Sequence, residues 1–486
     1  MQCHDSVMHA EILIGGVFYG GPCDQSIGKT RHDNPVTGRM VGSAAEAGWA
    51  EVSAALDATK EAFSTWRFSP REDRSALLLR IAEALRERRQ EFAELLRDEL
   101  AKPISLAYAE VDRAAITFEI ASREASTFGL PEPVDVSLDP RSDGVNVMVT
   151  RRPLGPILGI VPANWPLNLA AHKIAPALAS GNTILIKAPS IGTLSTLRLC
   201  RLIHEAGCPD GVVNAIGCVP ALAQKAAQDP RIAKLSFTGS PKVGWMLRDL
   251  LPRLPMTLEL GGDATAVVAE DADLDYAVSK LIPSAFGFAG QVCISTQHLL
   301  VHRSVYDSFV SSFVAASEAL TMSDPTDSGC LCGPLMTPEA AEKVMEWIDE
   351  AEAAGARVLC GGNRVGGYVE PTVMEGVTRA VRLGCDEVFG PVVTIQPYDE
   401  PEAIVTWVNT SRYGIHAAVF SSNHQLIDLL DCELQVGGLI VNDSPSLRFD
   451  AMPYGGIKES GMGREGIRSA MLSMTEVHTV VTGWTT

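Results

Sequence analysis

The sequence has no surplus of positive charge, no dense cysteine framework and no long apolar run, and each absence removes a class of function. With 40 Lys and Arg against 59 Asp and Glu, the 486-residue chain carries a formal charge of −19. Nucleic acids are bound through basic surfaces, so no nucleic-acid partner is expected. Eleven cysteines are scattered from Cys3 to Cys432 without regular spacing, which argues against a disulfide scaffold and for reduced, cytoplasmic thiols. The pair Cys330-Leu331-Cys332 lies in a Ser-Asp-Gly-rich connection with no histidine nearby. No metal is expected there. No window approaches about 18 uninterrupted apolar residues, so no membrane span is expected. The segment 1–21 lacks the basic, apolar and small-residue succession of a secretion signal. Internal repeats and low-complexity segments are missing too.

What is there fits a soluble α/β protein. Hydrophobic residues make up 46% and charged residues 20%, a globular balance, and the length calls for two or three domains. Residues 49–97 place apolar side chains at helical spacing among many charges, with Arg86-Glu87-Arg88-Arg89 as a solvated face. Short apolar runs at 157–161, 183–186, 212–215 and 235–237 then alternate with longer helical stretches, which predicts βαβ units and a parallel sheet. A second alternating region follows Glu259, with strand-like runs at 264–269, 299–302 and 392–397. Residues 145–150 stand behind a Pro-Arg-Ser-Asp-Gly turn and read as part of a hairpin, and 476–482 as a further strand. No Gly-x-Gly-x-x-Gly fingerprint follows the first strand of the parallel region, so the ordinary dinucleotide motif is missing.

Three segments carry candidate chemistry. Cys293 ends the run Phe286-Gly287-Phe288-Ala289-Gly290-Gln291-Val292-Cys293, whose glycines let backbone and ligand approach closely. It is a candidate nucleophile, or else a small buried hydrophobe. Glu259 sits among Leu258, Leu260, Gly261 and Gly262, neighbours that raise a carboxyl pKa toward working pH and suit a general base; the plainer role is a salt-bridged glutamate. Asn164, in Gly159-Ile160-Val161-Pro162-Ala163-Asn164-Trp165-Pro166, reads on its own as a cap for the helix beginning near Pro166.

In order and content these segments, with Gly181 to Ser190, Phe237-Thr238-Gly239-Ser240 and Glu387-Val388-Phe389-Gly390-Pro391, resemble the NAD(P)-dependent aldehyde dehydrogenase superfamily from about Asn34 to about Glu476. The resemblance implies an α/β fold with a Rossmann-like cofactor domain (1–130 and 153–260), an α/β catalytic domain (261–459) and a small β oligomerisation element (131–152 and 460–486), assembled as a homodimer or homotetramer. It implies that Cys293 attacks the aldehyde and carries the thioester, that Asn164 holds the oxyanion, that Glu259 activates water and that Lys173 relays protons. NAD or NADP would be held by Pro162, Lys187, Ser190, Gly239, Ser240, Gly261, Glu387 and Phe389. Serine at 190, where a glutamate would repel a 2′-phosphate, leaves room for NADP beside Lys187. Trp165, Leu169, His172, Val292, Ile294, Ser295, Arg448 and Tyr454 would line or approach the substrate channel.

Glu259 favours hydrolysis to a free acid over transfer of the acyl group to coenzyme A. The acylating enzyme stays as an alternative, as does a catalytically silent structural protein. The segment Met452 to Gly461 points toward dehydrogenases of lactaldehyde, succinate semialdehyde or phosphonoacetaldehyde type. An anionic aldehyde would need a cation, for which Lys102, Arg113, His172 and Arg448 are candidates, Arg448 foremost. Asp263 departs from the family pattern, and its proximity in sequence predicts an extra negative charge beside the base.

Overall fold

The structure, a computed structural model, describes residues 8–21 and 24–483. Its organising element is an eight-stranded sheet in the order Gly461–Met462, Met256–Glu259, Lys234–Thr238, Ile157–Ile160, Ile184–Lys187, Val213–Ile216, Ile12–Ile14, Val17–Tyr19. The five strands from Met256–Glu259 to Val213–Ile216 are parallel. They are buried almost throughout, as expected of short apolar strands covered on both faces by crossover helices. From Ile157–Ile160 the chain first builds outward through Ile184–Lys187 and Val213–Ile216, then returns to add Lys234–Thr238 on the other side. The strand order therefore reverses beside Ile157–Ile160, the place where open α/β sheets form a ligand crevice. Asn164 and Trp165 follow that strand directly.

One face is covered by helices whose sequence explains them. Arg71–Glu87 begins after Pro70, has Glu72 and Asp73 in its first turn and Arg86 in its last, and buries Leu77, Leu78, Ile81, Ala82 and Leu85 along one stripe. Helix Pro166–Ala179 is buried at every position, and its hydrophobic residues join the core of the first sheet.

A second sheet has the order Arg357–Cys360, Thr372–Glu375, Val392–Tyr398, His298–His302, Thr265–Val268, His416–Phe420, Gly438–Val441. All neighbours are parallel except the edge strand Arg357–Cys360. Its core includes Phe286, Phe309, Phe313 and Trp347. The predicted runs in both regions are strands to within a residue or two.

The strand Val145–Pro153 pairs antiparallel with Thr475–Gly483 along its whole length, and Glu132–Pro133 adds a short third strand. The expected hairpin is thus mainly a long-range pairing between distant pieces of chain. The segment 460–486 is not wholly part of this small sheet. Gly461–Met462 hydrogen-bonds the edge strand Met256–Glu259 of the first sheet, and helix Ile467–Ser473 buries Ile467 and Met471 in the core of that sheet. Among the described residues no helix is long and apolar enough to cross a membrane.

Candidate active site

Helix Leu274–Phe286 ends at Gly287 and is followed by a left-handed turn, with φ of 51° at Phe288, 53° at Ala289 and 68° at Gly290. Two non-glycine residues in this region are strained. Gly290 is required, since a Cβ there would lie 2.3 Å from the carbonyl oxygen of Gly390. The turn delivers Cys293 into a cavity of about 200 Å³ lined also by Asn164, Trp165, Leu169, Arg448 and Tyr454. Four stretches of chain distant in sequence meet here, 106–113, 164–169, 283–294 and 446–454, and Val292 and Ile294 flank the thiol as lining residues.

The Cys293 Sγ lies 3.0 Å from the Tyr454 hydroxyl. Burial pushes the thiol up to about 11, while the Tyr454 hydrogen bond and Arg448 favour the thiolate and Glu387 and Glu259 oppose it. The resting thiol is therefore protonated and must lose its proton before attack. Asn164 Nδ2 donates to the Gln291 carbonyl at 2.9 Å, which fixes the amide and leaves its second N–H available. The Asn164 carbonyl accepts from Lys102 Nζ at 2.7 Å.

Lys102 does not face a substrate. It is fully buried, paired with Glu110 and set over the rings of Trp165 and Phe288 at 3.9 and 4.7 Å. Glu110 also accepts from the amides of Leu167 and Asn168 at 2.9 and 3.2 Å, so the pair ties the start of helix Pro166–Ala179 to the wall of the cavity. Glu110→Ala would leave an ammonium buried without a counter-charge, and is expected to lower stability by about 3–5 kcal/mol, read as a fall in the urea midpoint.

Glu259 closes the strand Met256–Glu259 and is 3% exposed, yet neither carboxyl oxygen has a protein hydrogen-bond partner. Burial and the Glu465 carboxylate hold it well above the usual range, against Arg448, Lys173 and Arg464. Gly455 makes room, because a Cβ there would stand 2.9 Å from Glu259 Oε1. A buried carboxyl without partners costs stability, and its environment is that of a group held ready to exchange a proton. Lys173 Nζ donates to Thr238 Oγ1 at 2.7 Å, Ser236 Oγ at 3.2 Å and Glu465 Oε1 at 3.2 Å. Glu465 also bonds Arg448 Nη2 at 3.2 Å, and these two cations hold its carboxyl low.

Several expected substrate residues stand elsewhere. His172, three residues past Leu169 on a buried helix, lies behind the cavity, with Nε2 2.8 Å from Asp450 Oδ1. Ser295 donates its hydroxyl to the carbonyls of Ser284 and Ala285 at 3.0 and 3.2 Å, which turns it away. Arg113 does line the cavity and pairs with Asp450 at 2.6 Å. Asp450 and Glu465 join the site through distant partners, and only the short spacing of Arg448 and Asp450 hints at the first in sequence. Asp263 does not load charge onto the base. It accepts from Arg379 and Ser411, both at 2.8 Å, and these bonds, with His298, keep it ionised and facing the second sheet.

Pro162, Lys187, Ser190, Gly239, Ser240 and Gly261 lie at or just past the carboxyl ends of the first sheet's parallel strands, whereas Glu387 and Phe389 precede the strand Val392–Tyr398 of the second sheet. Lys187 ends the strand Ile184–Lys187, and burial lowers its ammonium pKa. Ser190 is exposed and lines a groove of about 130 Å³ with Glu46, Cys218 and Pro220. Ser240 caps helix Pro241–Leu250 by backbone alone. Gly239 is less free than expected, because its amide already donates to the Glu259 carbonyl at 3.0 Å. Glu387 accepts from the Gly262 amide at 3.2 Å and is pushed up to about 7 by burial. A Cβ at Gly261 would meet its carboxylate at 2.2 Å. Phe389 adopts φ of 50° beside it, and Pro162 is half-buried beyond the strand Ile157–Ile160. A crevice at the sheet's switch point, an uncapped helix start and a carboxylate at its far end fit a dinucleotide.

Residues 24–480 match the aldehyde dehydrogenase family. The chain belongs to it. This aldehyde dehydrogenase is 36% identical over 467 residues to the 3-sulfolactaldehyde dehydrogenase of Priestia megaterium, covering 96% of this chain and 97% of that one. The structure of aldehyde dehydrogenase 21 from Physcomitrella patens, in complex with the reaction product succinate, superimposes with a TM-score of 0.95 at 33% identity over 98% of both chains. The NADP complex of NADP-dependent glyceraldehyde-3-phosphate dehydrogenase from Bacillus halodurans gives 0.94 at 31% identity, over 98% of this chain and 99% of that one. The chain is an NAD(P)-dependent aldehyde dehydrogenase with a mixed α/β fold of the kind the sequence implied.

Proposed function

We propose that this aldehyde dehydrogenase oxidises a small aldehyde bearing a second, anionic group to its free acid. The observation that carries the anionic part is Arg448, which lines the cavity with Cys293 and Asn164. Its side chain is 6% exposed and its Nε has no protein partner. Around it, the three cations Arg448, Arg113 and Lys173 meet two carboxylates, Asp450 and Glu465, while Glu259 is held toward its neutral form. A guanidinium lining the cavity with a donor left free favours an anion. Of the three proteins compared, one is named for a sulfonated aldehyde, one for a phosphorylated aldehyde, and the third is complexed with a dicarboxylate product, which supports the same reading.

In the reaction, the Cys293 thiol gives its proton to water in the cavity, a loss that the Tyr454 hydrogen bond and Arg448 favour, and Sγ attacks the aldehyde carbon. The oxyanion of the thiohemiacetal is held by the free N–H of Asn164 and the Cys293 amide. NAD(P)+, when bound by Lys187, Ser190, Ser240, Glu387 and Phe389, supplies the hydride acceptor. The resulting thioester on Cys293 is cleaved by water that Glu259 deprotonates, and Lys173 with Glu465 orders the polar path behind the base. Trp165, Leu169, Val292, Ile294 and Tyr454 form the walls that exclude bulk water.

With a matched pair of aldehydes, one neutral and one ending in a carboxylate, the charged one should have the higher kcat/KM. Compared at a pH above the rising limb of both proteins, Arg448→Gln should cost it about a hundredfold and leave the neutral aldehyde little changed. A preference for the neutral aldehyde that survives the substitution would refute the anionic reading. At the cofactor groove, Ser190→Glu should lower kcat/KM for NADP relative to NAD by about tenfold or more, through like-charge repulsion of the 2′-phosphate.

We assign most of the cofactor binding to the first sheet and the nucleophile Cys293 to the second domain, with Asn164 and Glu259 reaching the site from the first sheet and Glu387 and Phe389 reaching the cofactor from the second. The open edge of Thr475–Gly483, where Val477, Val480 and Val481 are exposed, supports a homodimer or homotetramer built on the small sheet. The nine described cysteines are free, in keeping with a cytoplasmic enzyme.

A further inference from the structure

Five arginines, Arg67, Arg71, Arg74, Arg151 and Arg152, line a single groove of about 440 Å³ with Phe68 at its rim. It shares no lining residue with the cavity around Cys293 or the groove beside Ser190. On a chain of net charge −19 such a grouping runs against the overall field. Among the described residues none of the five forms an ion pair with a carboxylate, whereas Arg88, Arg89, Arg198, Arg201, Arg231 and Arg303 all do.

Three of the five are instead fixed by neutral acceptors. Arg71 donates to the carbonyls of Phe128 and Gly129 at 3.0 and 2.9 Å, and Arg74 to those of Ala179 and Ser69, both at 3.2 Å. Arg151 donates to Thr475 Oγ1 at 2.8 Å and the Leu472 carbonyl at 2.9 Å. These bonds orient the guanidinium planes without cancelling their charge. Arg74 Nε is buried with no protein partner. Glu476 stands opposite Arg152 in the antiparallel ladder, yet makes no ion pair with it. Phe68 is 73% exposed, with the Arg67 guanidinium 4.4 Å from its ring centroid.

We propose that this groove binds a small molecule carrying two or more adjacent phosphates, as free pyrophosphate or as the phosphate chain of a nucleotide. Several pre-oriented guanidinium forks match the planar, multiple acceptors of linked phosphates, and the missing counter-charges are what such an anion brings. The exposed Phe68 ring adds a surface on which a base can stack if the source is a nucleotide.

The test is calorimetric titration of pyrophosphate, and separately of ATP, into enzyme saturated with NAD so that the cofactor site is occupied, at constant ionic strength. Wild type is compared with the double variant Arg67→Ala/Arg152→Ala, both exposed positions remote from the catalytic cavity. Binding of pyrophosphate to wild type, weakened about a hundredfold or more in the variant, is the expected result; tighter binding of ATP would identify the nucleotide as the source. Equal affinity in both proteins would overturn the proposal. So would an absence of binding to wild type together with a fall in the variant's sedimentation mass, which would make the groove a seat for an acidic segment of a second copy.

Discussion

Cys293→Ala is expected to lower kcat by about 10⁴-fold or more while leaving the fold and NAD(P) binding intact. The residues around the cofactor crevice, Lys187, Ser190 and Glu387, do not contact Cys293 through any hydrogen bond. The loss should therefore appear in turnover and not in cofactor affinity, measured by fluorescence titration. No other described cysteine lines the cavity; Cys200, Cys208 and Cys332 are buried and their thiols pushed up strongly by desolvation. Cys293→Ser should restore little. The hydroxyl is a far weaker nucleophile than the thiolate, and the same buried surroundings disfavour its ionisation further.

Glu259→Gln should separate the two halves of the reaction. If Glu259 serves mainly to activate water against the thioester, the variant reduces up to about one equivalent of cofactor per site and then stalls, with steady-state turnover down about 10²- to 10⁴-fold. The pH dependence carries a defined sign. Burial and Glu465 hold the Glu259 proton to a higher pH than an ordinary glutamate, so wild-type deacylation should rise with pH through that elevated pKa and flatten above it. Arg448 pulls the same pKa down. Arg448→Gln should therefore move the rising limb to higher pH, a shift that stopped-flow rates across a pH series would show. A limb that moved to lower pH would mean that the charges around Glu259 are misassigned.

The parts of this account legible in the sequence are local in character. Continuous apolar runs such as Ile184–Lys187 and Val213–Ile216 announce parallel strands because both faces are covered. Cys293, Asn164 and Glu259 stand in short segments whose glycine, proline and leucine neighbours advertise a tight turn or a dry pocket. What was not legible depends on distant partners. His172 meets Asp450 across 278 residues and Lys173 meets Glu465 across 292, and no periodicity links them. Asp263 shows the converse error: four residues from Glu259 in sequence, it nevertheless faces Arg379 and Ser411, since leaving the first sheet sends the chain into the second. Lys102 reads in sequence as an available cation, but Glu110, two turns along the same segment of chain, pairs with it.

The central claim is that Cys293 forms a thioester which Glu259 resolves by hydrolysis. Its most direct test is intact-protein and peptide mass spectrometry of Glu259→Gln after brief incubation with NAD(P)+ and a carboxylated aldehyde, without coenzyme A. One acyl group per chain is expected, carried on the peptide containing Cys293 and lost when Cys293 is also replaced by alanine. An unmodified Cys293, or an acyl group on a different cysteine, would contradict it.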